Sequence, residues 1–147
     1  MSSFASSLLT PSVVRKKRVF ISFRAEDRKR VDGLRLLSAN PRFEIEFYDE
    51  SVQTPIKSTD ADYIRRKIRE KINRTSVTLC LVSELTHTSQ WVTWEIEESI
   101  DKGNAVICMG FPDGTERLTL PDPCRRLKLD WWRWNLDRLK SMIDEAP

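Results

Sequence analysis

Two side chains four residues apart, Trp91 and Glu95, carry the sharpest chemical signal in the chain. They sit in Ser89-Gln90-Trp91-Val92-Thr93-Trp94-Glu95-Ile96-Glu97, which opens with a helix-capping serine. Val92, Ile96 and Ile100 recur at four-residue steps and predict the buried stripe of that helix. Trp91 and Glu95 form a second stripe, roughly 100° round the axis, beside the core face and not within it. A broad aromatic surface one turn from a carboxylate suits a flat, cationic ligand. Taken alone, the pair reads equally as a surface Glu next to a half-buried Trp, because most helical glutamates are simply solvated. The elements that must position the pair decide between the two.

The chain has 147 residues, 39% apolar and 32% charged, with a net charge of +3. That fits one globular domain with a core of its own. The charge permits weak attraction to anions but does not demand it. No apolar run is long enough for a membrane-spanning helix, so no membrane partner is expected. Cys80, Cys108 and Cys124 are odd in number and far apart in sequence, and His87 is the single histidine. Without ligand spacing, no metal site is expected. The cysteines fit small buried hydrophobes in a reducing cytoplasm. Residues 1–17 are Ser-rich and end in Arg15-Lys16-Lys17, which predicts a flexible tail before one domain over 18–147.

Arg18-Val19-Phe20-Ile21-Ser22-Phe23 lacks polar alternation and reads as a central parallel strand. Glu26 and Asp27 place negative charge in the first turn of a helix whose apolar stripe is Val31, Leu34 and Leu37, ended by Asn40-Pro41. Phe43 to Tyr48 alternates with acids and reads as an edge strand. Residues 49–58 form a polar loop long enough to be functional. Thr59-Asp60-Ala61-Asp62 has a capping-box pattern, and Ile64, Ile68 and Ile72 define the next helix. Its basic face has acidic neighbours, Asp62 and Glu70, so no nucleic-acid partner is expected. Residues 76–82 and 104–109 are further buried strands, with Gly103 as the helix stop between. Leu127 to Asp130 is the expected last strand, and 135–143 the closing helix, against which Trp131, Trp132 and Trp134 are expected to pack.

The order βαβαβαβ, completed by the expected last strand and closing helix, predicts a three-layer α/β, flavodoxin-like fold with a mostly parallel five-stranded sheet, order 2-1-3-4-5. Such sheets bind ligands beyond the strand carboxyl ends, at the switch point between the first and third strands. Phe23, Arg24, the 49–58 loop, Ser83-Glu84 and the start of the Trp91/Glu95 helix fall there.

Exclusion narrows the chemistry. Ser22-Phe23-Arg24-Ala25-Glu26-Asp27 has no glycine and two acids, so it is a poor phosphate cradle for a flavin. The third strand ends Val82-Ser83-Glu84, with no phospho-acceptor aspartate. Four glycines form no dinucleotide fingerprint or P-loop, and lone His87 gives a nucleophile triad no plausible base. One carboxylate with aromatics remains. Glycoside hydrolysis usually needs a second carboxyl group to protonate the leaving group. A leaving group already cationic, such as the nicotinamide of NAD, departs neutral without that proton. One carboxylate then suffices to hold ribose hydroxyls and stabilise the oxocarbenium charge, with Trp91 or Phe23 packed on the base.

Val19-Phe20-Ile21-Ser22-Phe23-Arg24-Ala25-Glu26-Asp27 resembles the first box of the TIR domain family. Ser89-Gln90-Trp91 through Glu95-Ile96 resembles its later motif, in which a Trp precedes the catalytic Glu by four, and Phe47-Tyr48-Asp49 opens the equivalent of the BB loop. The likeness covers about residues 18–110. Asn73-Arg74-Thr75-Ser76-Val77-Thr78 and Ser99-Ile100-Asp101-Lys102-Gly103-Asn104 look closest to the bacterial TIR-like domains of antiphage Thoeris systems. The resemblance implies consumption of NAD as substrate, with no cofactor. It also implies a cyclic ADP-ribose-type signal in some members, acting on a downstream effector. By position it implies Glu95 as the catalytic carboxylate. Phe23, Arg24 and Trp91 would line the nicotinamide-ribose pocket, with Ser58 and Asp60 at the loop-to-helix junction. Ser83 joins the expected substrate-binding residues by its place at the third strand's carboxyl end. The 49–58 loop lacks the Pro-Gly pair of animal adaptors, and the third animal box is only loosely matched by Asp130-Trp131-Trp132. The competing expectation is a non-catalytic module that self-associates through that loop and its helix faces.

Overall fold

The computed structural model describes residues 17–34, 43–48, 54–114 and 117–147. The tail expected over 1–17, apart from Lys17, lies outside the described residues, as do Leu37, Asn40-Pro41 and the first half of the 49–58 loop. Among the described residues no helix is long and apolar enough to cross a membrane.

Five strands, β1 (Lys17–Phe23), β2 (Phe43–Glu46), β3 (Val77–Val82), β4 (Ala105–Gly110) and β5 (Trp131–Trp132), make one sheet. Its order is β2-β1-β3-β4-β5 and every pairing is parallel. Helices α1 (Arg28–Asp32), α2 (Ala61–Asn73), α3 (Gln90–Lys102), α4 (Asp122–Arg126) and α5 (Leu136–Glu145) cover it. β2 and β3 flank β1 on opposite sides, so the crossover direction reverses at β1. Right-handed connections then place α1 on one face and α2 on the other.

The core follows that split. Val19, Ile21, Phe23, Leu79, Leu81, Ile107 and Met109 face Val31 of α1 and Leu139 and Ile143 of α5. Phe20 meets Ile64, Ile68 and Ile72 of α2, while Cys80, Val82 and Cys108 meet Val92 and Ile96 of α3. Burying each large aliphatic side chain contributes about 1.5–3 kcal/mol. Neighbouring residues of β1 therefore point to opposite faces, Phe23 toward α1 and α5, Ser22 toward the other.

The three cysteines, distant in sequence, all lie buried as free thiols, Cys124 joining Cys80 and Cys108 in one cluster. The Cys124 contact pulls the Cys108 thiol down, but the Cys80 contact and burial outweigh it and leave Cys108 raised, while the Cys108 contact and burial push the Cys124 thiol up.

The chain's end departs from expectation. The last strand is Trp131–Trp132, paired with Cys108 and Met109, and not residues 127–130. An unforeseen helix, α4, precedes it; Pro121 and Pro123 fit its start, where backbone donors are unpaired anyway. Lys128, at φ 55°, ends it in the left-handed region. Trp132 and Trp134 pack against the cluster holding α5, as expected of all three tryptophans, but Trp131 faces Leu120 and Cys124 on the other side. A Cβ at Gly110 would lie 3.2 Å from Leu118 Cδ1 and 3.4 Å from Trp131 Cζ3, so the Leu118 side chain would have to give by a few tenths of an ångström to admit it.

Candidate active site on helix α3

Both ends of α3 are fixed locally. Ser89 Oγ accepts from the Val92 N–H at 3.2 Å, and Gly103, at φ 93°, closes the helix with Asn104 N–H bonded to the Ser99 carbonyl at 2.9 Å. Hydroxyls then pin the helix to the sheet. Thr78 Oγ1 donates to Ser99 Oγ at 2.7 Å, and Ser99 Oγ donates to the Glu95 carbonyl at 2.8 Å. All three residues are buried. The rotation of α3 about its axis, and so the aim of Glu95, rests on this chain.

The buried positions of α3 are Val92, Glu95, Ile96 and Ser99. Glu95, at 3% exposure, is thus within the core face and not beside it as the stripe geometry predicted. Ser22 explains the difference. It stands fully buried near the carboxyl end of β1, is small enough to leave room, and donates from Oγ to Glu95 Oε1 at 2.7 Å. No basic group among the described residues pairs with this carboxyl. Burial pushes its pKa up to about 8, with the Ser22 hydrogen bond pulling the other way. The group is therefore largely protonated at neutral pH while the site is empty.

Trp91 stays near the surface. Its Nε1 donates to the Thr54 carbonyl at 2.8 Å, its ring meets Trp94 edge-on at 5.9 Å, and the Arg65 guanidinium lies 5.9 Å from its centroid. Arg65 also donates to Asp62 and to the Ile56 carbonyl. Loop, α2 and α3 are tied together one turn before Glu95.

The other predicted residues scatter. Phe23 is buried on the opposite face of the sheet, edge-on to Phe47 at 5.9 Å. Arg24 pairs with Glu26 at 2.7 Å. Ser83 is buried and committed: its hydroxyl donates to Asp27 and lies 3.0 Å from Thr86 Oγ1. Asp27, at 6% exposure, also meets Arg30 at 3.3 Å, and Arg30 reaches Asp113 at 2.9 Å. Ser58 Oγ is buried without a hydrogen-bond partner among the described residues. Asp60, and not Thr59, occupies the N-cap position of α2 and makes no side-chain capping bond, so the capping box expected of Thr59-Asp60-Ala61-Asp62 does not form; Asp60 is exposed and lines a cavity at the start of α2. At the surface of the same helix as Glu95, Glu97 pairs with Arg126 at 3.2 Å and Glu98 with Arg69 at 3.1 Å. Sequence reasoning passed over Ser22, Thr78 and Ser99. Their signal was a hydroxyl inside an otherwise apolar run.

The architecture is that of a TIR domain. It matches the TIR domain of the Toll-related receptor TRR-2 from Hydra magnipapillata at a TM-score of 0.55, with 12% identity over 85% of this chain and 90% of the other. It also matches Clostridium botulinum CMP N-glycosidase BcmB at 0.56, with 17% identity over 84% and 99%. At such identities the likeness concerns the fold. The family model described as Thoeris protein ThsB, TIR-like domain, matches residues 20–116, and the chain belongs to that family. A Bacillus cereus (strain MSX-D12) protein provisionally named cyclic ADP-D-ribose synthase ThsB1 is 34% identical over 95 residues, 62% of this chain. The chain spans about half, 50%, of that relative's length.

Proposed function

We propose that this domain cleaves NAD at the bond between nicotinamide and ribose, with Glu95 as its catalytic carboxylate. The observation that carries the reading is a buried carboxyl with no basic partner among the described residues, bonded to Ser22 on a helix that the Thr78–Ser99 hydroxyls tie to the sheet, near the carboxyl end of the sheet's first strand.

The chemistry needs no second acid. As the C1′–N bond breaks, its electron pair passes to the pyridinium nitrogen and nicotinamide leaves neutral. Positive charge develops on the ribose carbon and ring oxygen, and ionised Glu95 stabilises it inside a site of low polarity. Either water or a nucleophilic group of the substrate then adds at C1′ and gives up a proton, forming ADP-ribose in the first case and, in the second, a cyclic product lighter than ADP-ribose by one water. Approach of a cationic nicotinamide riboside lowers the cost of ionising Glu95, so substrate charge and carboxylate arrive together. Trp91, half-buried and fixed by Thr54, offers an aromatic surface to the planar base. A carboxyl at 3% exposure meets the ribose only after the side chains around it part.

Membership of the Thoeris family supports placing this reaction in antiphage defence, with the product as a diffusible signal to an effector. The provisional name of the Bacillus cereus relative points the same way. Incubating the purified protein with NAD and following the small molecules by mass spectrometry tests the reading. Nicotinamide is expected in equimolar amount with ADP-ribose or its cyclic form. NAD left intact, both alone and in extracts of phage-infected cells, would refute it.

A further inference from the structure

We propose that the cavity at the start of α2 binds the adenosine-phosphate half of a dinucleotide, leaving the nicotinamide riboside half to the Glu95 side. This rests on the glycosidic reading above for the identity of the dinucleotide, but its chemistry is argued from its own lining.

The cavity holds about 580 Å³, inside the usual range for small-molecule sites. Both tyrosines of the chain line it. Tyr48 packs on the apolar cluster of Phe20, Ile64, Ile68 and Ile72, which fixes one wall. Tyr63 is 55% exposed, and Lys67 Nζ lies 5.5 Å from its centroid. A phenol ring left so open offers a stacking face, and a nucleobase is the ligand that uses one without demanding a particular hydrogen-bond pattern.

Charge around the cavity is divided. Asp62 is neutralised by Arg65 at 2.8 Å, and Lys67 pairs with Glu70 at 3.6 Å. Asp60 and Arg66 also line the cavity, and neither has an ion-pair partner among the described residues. A free carboxylate accepts both hydroxyls of a ribose, and a free guanidinium forks onto a phosphate. Ring, carboxylate and guanidinium match base, sugar and phosphate in kind and number.

The cavity's position selects a long ligand. Thr54 belongs to its lining, and the Thr54 carbonyl accepts the Trp91 indole N–H at 2.8 Å. Trp91 precedes Glu95 by one helical turn. Cavity and carboxyl therefore flank one tryptophan, and a ligand with nucleoside character at both ends serves both.

The test uses the full ¹⁵N-labelled chain with 5′-AMP as the probe, followed by amide chemical shifts. AMP is expected to shift the amides of Tyr48 and of residues 59–66. Tyr63→Ala and Arg66→Gln should each weaken binding at least five-fold, and Tyr63→Phe should restore it. In turnover, Tyr63→Ala should raise the KM for NAD at least five-fold relative to the KM for nicotinamide mononucleotide. Absence of those shifts, or equal AMP affinity in wild type and Tyr63→Ala, overturns the proposal. AMP binding there with an unaltered KM ratio also overturns it, since the cavity would then serve a free nucleotide. If the chain binds AMP at these amides yet cleaves neither substrate, the cavity assignment stands and the glycosidic reading falls.

Discussion

Glu95→Gln should cut kcat for nicotinamide release from NAD by at least 10²–10³-fold, on the order expected for losing one preorganised charge-stabilising group. The substitution keeps shape and keeps an oxygen to accept the Ser22 hydroxyl, whose bond to Glu95 is 2.7 Å long. It removes only the negative charge. Affinity for intact NAD should change far less than kcat, because the developing oxocarbenium, and not the ground-state ribose, is what the carboxylate meets most strongly. Parallel loss of NAD binding and of the folded-state circular dichroism would place Glu95 in the architecture and not in the chemistry.

The same variant should be more stable than wild type at alkaline pH. An ordinary glutamate titrates near 4.5, and burial raises Glu95 in the folded chain to about 8. Below 4.5 both states hold the proton and the residue costs nothing. Between those values the unfolded chain has released it and the folded chain has not, so unfolding gains favour as pH rises. Above about 8 the full cost of a buried, unpaired charge is present, on the order of 3–5 kcal/mol. Glu95→Gln removes this term. Urea unfolding should show near-equal stability at pH 4.5 and a gain of several kcal/mol for the variant at pH 8.5. Equal stabilities at both would mean that the carboxyl finds solvent or a cation in solution. A site that accepts such a cost resembles other functional sites, where stability is given up for reactivity.

Much of this was legible from spacing alone. The parallel sheet and its 2-1-3-4-5 order followed from one half-polar strand among buried ones, and the structure has that order. Ser89 and Gly103 marked the ends of α3 because cap chemistry is local. What escaped depended on partners distant in sequence. The stripe geometry placed Glu95 beside the core, because nothing in the helix itself says that Ser22, 73 residues earlier, leaves a hole there with a donor. The parity of β1 was readable, with Val19, Ile21 and Phe23 on one face, and it separates Phe23 from Glu95. Switch-point reasoning ignored parity and took Phe23 as a neighbour of the carboxylate. Residues 127–130 passed for a strand since Leu127 and Leu129 alternate. The left-handed Lys128 and the Pro121-Pro123 start of α4 instead shift pairing to Trp131 and Trp132. Thr59-Asp60-Ala61-Asp62 read as a capping box, but the helix starts one residue later, with Asp60 at the N-cap position making no capping bond and lining the cavity that Tyr63 shares.

The proposed NAD cleavage requires Glu95 in its ionised form, and the pH profile of kcat/KM for nicotinamide release tests that requirement most directly. Wild type should gain about ten-fold per pH unit and level off near the free-site value of about 8, with the limb of kcat lying lower because the cationic substrate favours ionisation. A profile flat from about pH 5.5 to 8.5, or one that Glu95→Gln reproduces at the wild-type rate, would contradict it.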